Sequence, residues 1–216
     1  MAALLLVGCG AGGKSATGGS TKERPPAKVV ASGFGQNGKY VEGIAIVTSD
    51  NPASVGRGVT ASTNFLDAVG HVIATEEQVE SFSWPDQQLV LPVWLDLSNS
   101  PPDTKVASGD VSVSVSDYAT PKSPDMKPLP VLVSNRIRRN SYGGFTTDFT
   151  FTNDTGADLK DLRVGVVCYD AGGTIIGGSS IYPNLAPAGK PIRLEPTTLT
   201  VSGEPITCKA FPNYGY

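Results

Sequence analysis

The chain has 216 residues, 39% of them hydrophobic, and a formal net charge of −3. That supplies apolar side chains for one or two packed domains and no basic excess of the kind that draws a protein to nucleic acid or an anionic membrane surface, so no nucleic-acid partner is expected. No apolar run reaches the roughly 18 residues of a spanning helix. His71 is the one histidine, and with Cys9, Cys168 and Cys208 it leaves the common Cys/His zinc sites short of ligands; neither a metal nor a cofactor is expected.

The N-terminal residues Met1 to Ser15 carry two incompatible signals. Gly8-Cys9-Gly10-Ala11-Gly12-Gly13-Lys14-Ser15 has the letters of a nucleotide-binding P-loop, which works only where a helix starts at the Lys-Ser end and offers its free N–H groups to phosphate. Here Gly18-Gly19 and Pro25-Pro26 follow, which deny a helix of useful length, and no alternation of strands with helices comes after. Leu6-Val7-Gly8-Cys9, followed by a polar tether, resembles a bacterial lipobox. The resemblance implies that Cys9 carries lipid and becomes the mature N-terminus, on the extracytoplasmic face of a cell membrane. Residues 1–28 accordingly read as a signal-peptide remnant and a Gly/Ser/Pro-rich tether. The apolar segment is short for an export signal and lacks a preceding basic residue, so the true start is expected upstream.

Beyond the tether, Gly and Pro punctuate short β-branched runs, the pattern of an all-β chain. Phe65-Leu66-Asp67-Ala68-Val69-Gly70-His71-Val72-Ile73-Ala74 aligns with Cys168-Tyr169-Asp170-Ala171-Gly172-Gly173-Thr174-Ile175-Ile176-Gly177. Pro92-Val93-Trp94-Leu95 then matches Pro191-Ile192-Arg193-Leu194, and Ser108-Gly109-Asp110 matches Ser202-Gly203-Glu204. Two copies of about ninety residues, the size of an immunoglobulin-like β-sandwich, are therefore expected over 29–119 and 131–216. Residues 120–130, with four prolines, form the linker between them, and the second copy is expected to fold alone. Ile44-Ala45-Ile46 and Val59-Thr60-Ala61 correspond to Phe149-Thr150-Phe151 and Val164-Gly165-Val166, each strand with one buried face. The closing strands are Val111-Ser112-Val113-Ser114-Val115 and Ile206-Thr207-Cys208-Lys209-Ala210. Only Thr75 to Ser81 is a candidate for a helical turn or two.

With Cys9 lipidated, Cys168 and Cys208 remain as a disulfide candidate, two separate buried thiols being the alternative. The alignment places Cys168 opposite Phe65 and Cys208 opposite Val113, so both are expected to point inward.

The second copy, with Thr152-Asn153-Asp154-Thr155-Gly156 before a strand ending Cys168-Tyr169-Asp170 and with Asn184-Leu185-Ala186-Pro187-Ala188-Gly189 further on, resembles the FxLYD domain family of bacterial envelope proteins. The resemblance covers roughly Val131 to Tyr216, with Val166 and Cys168 where the family has Phe and Leu, and implies an immunoglobulin-like fold without a shared activity.

Asp67 and Asp170 each precede a glycine by three residues, the spacing of a turn in which the carboxylate caps backbone N–H groups and the glycine takes a left-handed conformation. One acid per turn is too few for calcium. His71, at a turn tip, is a poor base for a triad. Glu76, Glu77, Glu80 and Asp86 gather around Trp84, where paired carboxylates beside an aromatic could form a sugar site or, more simply, a solvated acidic loop. Arg136, Arg138 and Arg139 read as charges guarding an edge strand, with anion contact as the alternative. Asn153-Asp154-Thr155 has the letters of a glycosylation sequon, without meaning in a bacterial lipoprotein. The sequence thus predicts a non-catalytic envelope lipoprotein that binds or spaces, with an envelope protein or polysaccharide as the candidate partner. The alternatives are an extracytoplasmic enzyme or enzyme accessory protein with carboxylates in the cleft between the copies, and the P-loop protein.

Overall fold

The computed structural model describes residues 26–123 and 126–215; Cys9, Lys14 and Ser15 lie outside them. The first half supplies β1 (Lys28–Asn37), β2 (Tyr40–Thr48), β3 (Arg57–Leu66), β4 (Val72–Ser81), β5 (Leu89–Asp96) and β6 (Ser108–Ala119), with a 3-10 turn at Pro52–Ser54. They form two antiparallel three-stranded sheets, β1-β2-β5 and β4-β3-β6. Strict alternation makes them face each other: Val59, Ala61 and Phe65 of β3 point inward, and meet Ala45, Val47, Leu91 and Val93 of β2 and β5. Pro92 is tolerated because β5 is an edge strand. Thr75–Ser81 lies in β4, not in a helical turn. There, alternation turns Thr75, Glu77 and Val79 to solvent while β3 pairs the backbone along its length.

The second half supplies β7 (Leu132–Ser134), β8 (Arg138–Arg139), β9 (Phe145–Thr146), β10 (Phe149–Thr152), β11 (Leu159–Lys160), β12 (Arg163–Tyr169), β13 (Ile175–Ile181), β14 (Leu185–Ala186), β15 (Pro191–Leu194), β16 (Thr200–Val201) and β17 (Thr207–Asn213). A five-stranded sheet, β16-β13-β12-β17-β7, is faced by the pairs β10-β15 and β11-β14. Phe149, Phe151 and Leu194 pack there against Val164, Val166, Cys168, Cys208 and Ala210. Between the halves, Leu129 is tucked into this second core, and the carbonyl of Lys127 accepts a hydrogen bond from the Tyr214 hydroxyl at 2.8 Å.

The repeat extends to backbone detail. In β3–β4 the register skips Ile73 between the pairs Phe65–Ala74 and Leu66–Val72; in β12–β13 it skips Ile176 between Cys168–Gly177 and Tyr169–Ile175. Equivalent bulges thus follow equivalent turns. The alignment of the closing strands is corrected: Phe65 pairs with Gly109 and Cys168 with Cys208, so Gly109, not Val113, is the counterpart of Cys208. Ser108–Asp110 starts β6, whereas Ser202–Glu204 is a turn after β16, so that match has no structural equivalent.

A further difference lies in β2, which is buried on both faces instead of one. Ala45 and Val47 face the first core, while Ile44 and Ile46, with Val90 of β5, meet Val167, Ile175 and Phe211 of the second half. The β1-β2-β5 sheet is therefore the middle of a stack, covered by β4-β3-β6 on one side and by the five-stranded sheet on the other. Glycine brings the layers together: a β-carbon on Gly33 would stand 2.7 Å from the Ile175 carbonyl oxygen, and one on Gly165 would stand 2.6 Å from Val90 Cγ1. At one end of the seam the polar groups are paired. Asn213 Oδ1 accepts from Ser83 Oγ at 3.1 Å and from Gln87 Nε2 at 2.9 Å, and Asn213 Nδ2 donates to the Ser81 carbonyl at 3.2 Å, all four residues being buried.

Candidate functional site

Cys168 and Cys208 are register partners on β12 and β17, bonded to each other with their Cα atoms 4.1 Å apart at a sequence separation of 40. Both are fully buried among Phe149, Phe151 and Val166. The bridge joins neighbouring strands of one sheet, whereas the immunoglobulin bridge spans two sheets.

The two aspartates form the same turn. Asp67 Oδ1 accepts from the amides of Val69 at 2.9 Å and His71 at 2.8 Å, and Asp170 Oδ1 accepts from Gly172 at 2.8 Å and Thr174 at 2.9 Å. Gly70 and Gly173 close the turns at φ 86° and 80°. The His71 amide is the first cause that holds the Asp67 carboxyl below its usual range. Asn140 repeats the pattern a third time, accepting from the amides of Tyr142 and Gly144 with Gly143 at φ 80°. The His71 ring projects into solvent with Nδ1 3.5 Å from Asp67 Oδ2.

The acids around Trp84 do not converge. Glu77 faces outward and Asp86 is exposed on a turn. Glu80 is buried and accepts from Arg163 Nη1 and Gln78 Nε2, each at 3.2 Å; burial raises its pKa while Arg163 lowers it. Trp84 packs edge-on against Tyr214 and onto the second core. The arginines are also spoken for: Arg138 pairs with Asp148 at 3.0 Å and Glu195 at 3.3 Å, and Arg139 pairs with Glu204 at 3.1 Å and lies over the Phe145 ring. Arg136 lies in the segment before β8, outside any strand. Asn153 is fully buried; its Nδ2 donates to the carbonyls of Ala157 at 2.8 Å and Ala186 at 2.6 Å, and its Oδ1 accepts from the Thr155 amide. Among the described residues, no three His, Cys, Asp or Glu side chains gather as a metal site, and no helix is long and apolar enough to cross a membrane.

The sequence reading passed over a quartet at the open end of the middle sheet. Tyr40 is the register partner of Asp96, and Glu42 of Trp94, so two β2–β5 pairs on one face, with Val41–Leu95 between them, set two aromatics on one diagonal and two acids on the other. Val41, Val93 and Leu95 point into the first core, which turns all four quartet residues to the opposite face. The Tyr40 and Trp94 rings stack with centroids 5.7 Å apart and remain 48% and 53% exposed. Glu42 is only 6% exposed, and its pKa is pushed up to about 8 by burial, the sole cause of its shift. Asp96 stays anionic, its pKa lowered by hydrogen bonds from the Ser98 hydroxyl and amide. The signal in the sequence was the alternation Tyr-x-Glu and Trp-x-Asp, which becomes a cluster only once the strand register is known.

Neither any family model nor any curated protein matches the chain.

Proposed function

We propose that this chain is a non-catalytic cell-envelope lipoprotein, held on the extracytoplasmic face of a membrane by acyl chains on Cys9, whose tandem β-sandwiches serve as a binding or spacer module. The observation that carries the reading is the buried Cys168–Cys208 bond, because structural disulfides persist in oxidising compartments and are rare in cytosolic proteins. Leu6-Val7-Gly8-Cys9 and the Gly/Ser/Pro-rich residues after it supply the anchor and the tether. More than one acyl chain on that cysteine would give stable attachment at about 0.8 kcal/mol per buried CH₂. An FxLYD-like identity for the second copy belongs to the same proposal. Asn153 clamps the Leu185–Gly189 loop through its bond to Ala186, and Gly189 N donates to the Asn153 carbonyl at 2.8 Å, so the two motif segments act as one corner.

The test is fractionation of cells that produce Cys9→Ala beside the unchanged chain. The substituted protein leaves the membrane pellet for the soluble fraction if the reading holds. Equal retention of both in the pellet removes Cys9 as the anchor.

A further inference from the structure

We infer that the Tyr40–Glu42–Trp94–Asp96 quartet is a binding site for an organic cation, the alkylammonium group of a small ligand. Two stacked rings, each about half exposed, offer π faces to a cation, and aromatic faces attract quaternary and alkylated ammonium groups. Two carboxyls lie on the other diagonal, one exposed and anionic, one nearly buried. Glu42 is the independent sign that something is missing. No described residue gives its carboxyl a hydrogen bond or a cation, yet its oxygens are not among the fully enclosed side-chain atoms that lack partners, so the group keeps an opening to solvent. A carboxyl in that position costs free energy until a cation or donor arrives.

The elements packed around Glu42 bring no competing charge. β1 offers Gly35, its register partner, and beyond Gly35 come Ile176, Thr200 and Val201 of β13 and β16. From β5 come Trp94 and Asp96, and Tyr40 is the other titratable neighbour. Lys39 points to the opposite face, with Nζ donating to the Pro101 carbonyl at 2.7 Å. The ligand is therefore attracted by net negative charge and by two rings, and no cation among the described residues pairs with Glu42.

Binding converts the Glu42 acid to its anion and hands the proton to the buffer, which gives the site a signature. Free Glu42 holds its proton up to about pH 8, so a cation that needs the anion binds roughly twentyfold more tightly at pH 8.5 than at pH 6.5 and releases close to one proton at the lower pH.

The inference deepens the binding side of the function proposed above and rests on it only in taking the β stack as a binding scaffold. The experiment is calorimetric titration of the full chain with choline chloride at both pH values, in buffers of different ionisation enthalpy. Dimethylbutanol, the neutral carbon isostere of choline, is titrated in parallel. The expected result is millimolar binding of choline, no measurable binding of the alcohol, and proton release. Glu42→Gln abolishes the pH dependence, and Trp94→Ala weakens binding at least tenfold, while thermal melts confirm that both variants are folded. Loss of choline binding in the presence of phosphatidylcholine vesicles assigns the group to a lipid headgroup; choline binding unaffected by those vesicles assigns it to a free alkylammonium compound. Equal affinity for choline and the alcohol, no heat at millimolar choline, or unchanged binding by folded Glu42→Gln overturns the inference. Such a failure leaves the anchor at Cys9 standing, because that is read by fractionation.

Discussion

Gly35 of β1 and Thr200 of β16 meet so closely across the seam that a β-carbon on residue 35 would stand 2.5 Å from the Thr200 carbonyl oxygen. Backbone opposes it on that side, so no side chain can swing away. Gly35→Val is expected to destabilise the protein by about 3 kcal/mol, the upper part of the range for overpacking, and to lower its melting temperature. Gly203→Ala is the control, since nothing lies within 4 Å of its missing β-carbon; it should change stability by less than about 0.5 kcal/mol. Equal melting temperatures for Gly35→Val and the unchanged chain would show that the seam is not closed as described.

The same seam bears on whether residues 131–216 fold when excised. The sequence leads one to expect an independent domain, but Val167, Ile175 and Phe211 are covered by Ile44, Ile46 and Val90 of the first half. Removing that cover exposes a contiguous apolar face. The expected outcome is a fragment without a cooperative thermal transition that binds a hydrophobic dye, against one sharp transition for the full chain. A fragment that melts cooperatively at the temperature of the full chain contradicts this.

Much of the scaffold was legible before the structure because it rests on local rules. Asp67 and Asp170 announce their turns through a carboxylate three residues ahead of a glycine, and the residue pattern around them located the repeat. Cys208 sits at an inward position of an alternating closing strand, and Cys168 keeps step with Val164 and Val166 on its own strand. The stack was hidden for the opposite reason. Gly33, Gly35 and Gly178 look like loop punctuation in sequence, and their role in bringing sheets together, like that of Gly165 within its strand, depends on partners far along the chain. Ile44 and Ile46 alternate with Ala45 and Val47, a run that cannot reveal by periodicity that it is buried on both sides. Glu42 and Trp94 are separated by two intervening strands, so their juxtaposition follows from register alone.

The Cys168–Cys208 bond closes a loop of 40 residues, for which chain entropy in the unfolded state gives a stabilisation of about 4 kcal/mol. Cys168→Ser with Cys208→Ser should lower the melting temperature by several degrees and leave the first half's turns intact. Thiol labelling of the folded, unreduced protein should modify neither cysteine; labelling of both would refute the bond.

Glu42 sets a pH dependence even without ligand. Its folded pKa is raised above the ordinary value of 4.5 to about 8, so the folded state holds a proton that the unfolded chain releases. The contribution to stability is fully present below pH 4.5 and is lost as pH rises toward 8, at up to about 1.4 kcal/mol per pH unit in between. Urea unfolding of Glu42→Gln across that range should show a flatter profile than the unchanged chain, the variant gaining stability relative to it as pH rises from 4.5 toward 8. Parallel profiles would mean that Glu42 titrates normally.

The anchor at Cys9 is the central claim, and intact mass measurement of the mature protein purified from the native membrane tests it most directly. The account predicts a chain that begins at Cys9 and carries the added mass of more than one acyl chain on that residue. A mature protein that retains the residues before Cys9, or one that begins there with an unmodified thiol, would contradict it.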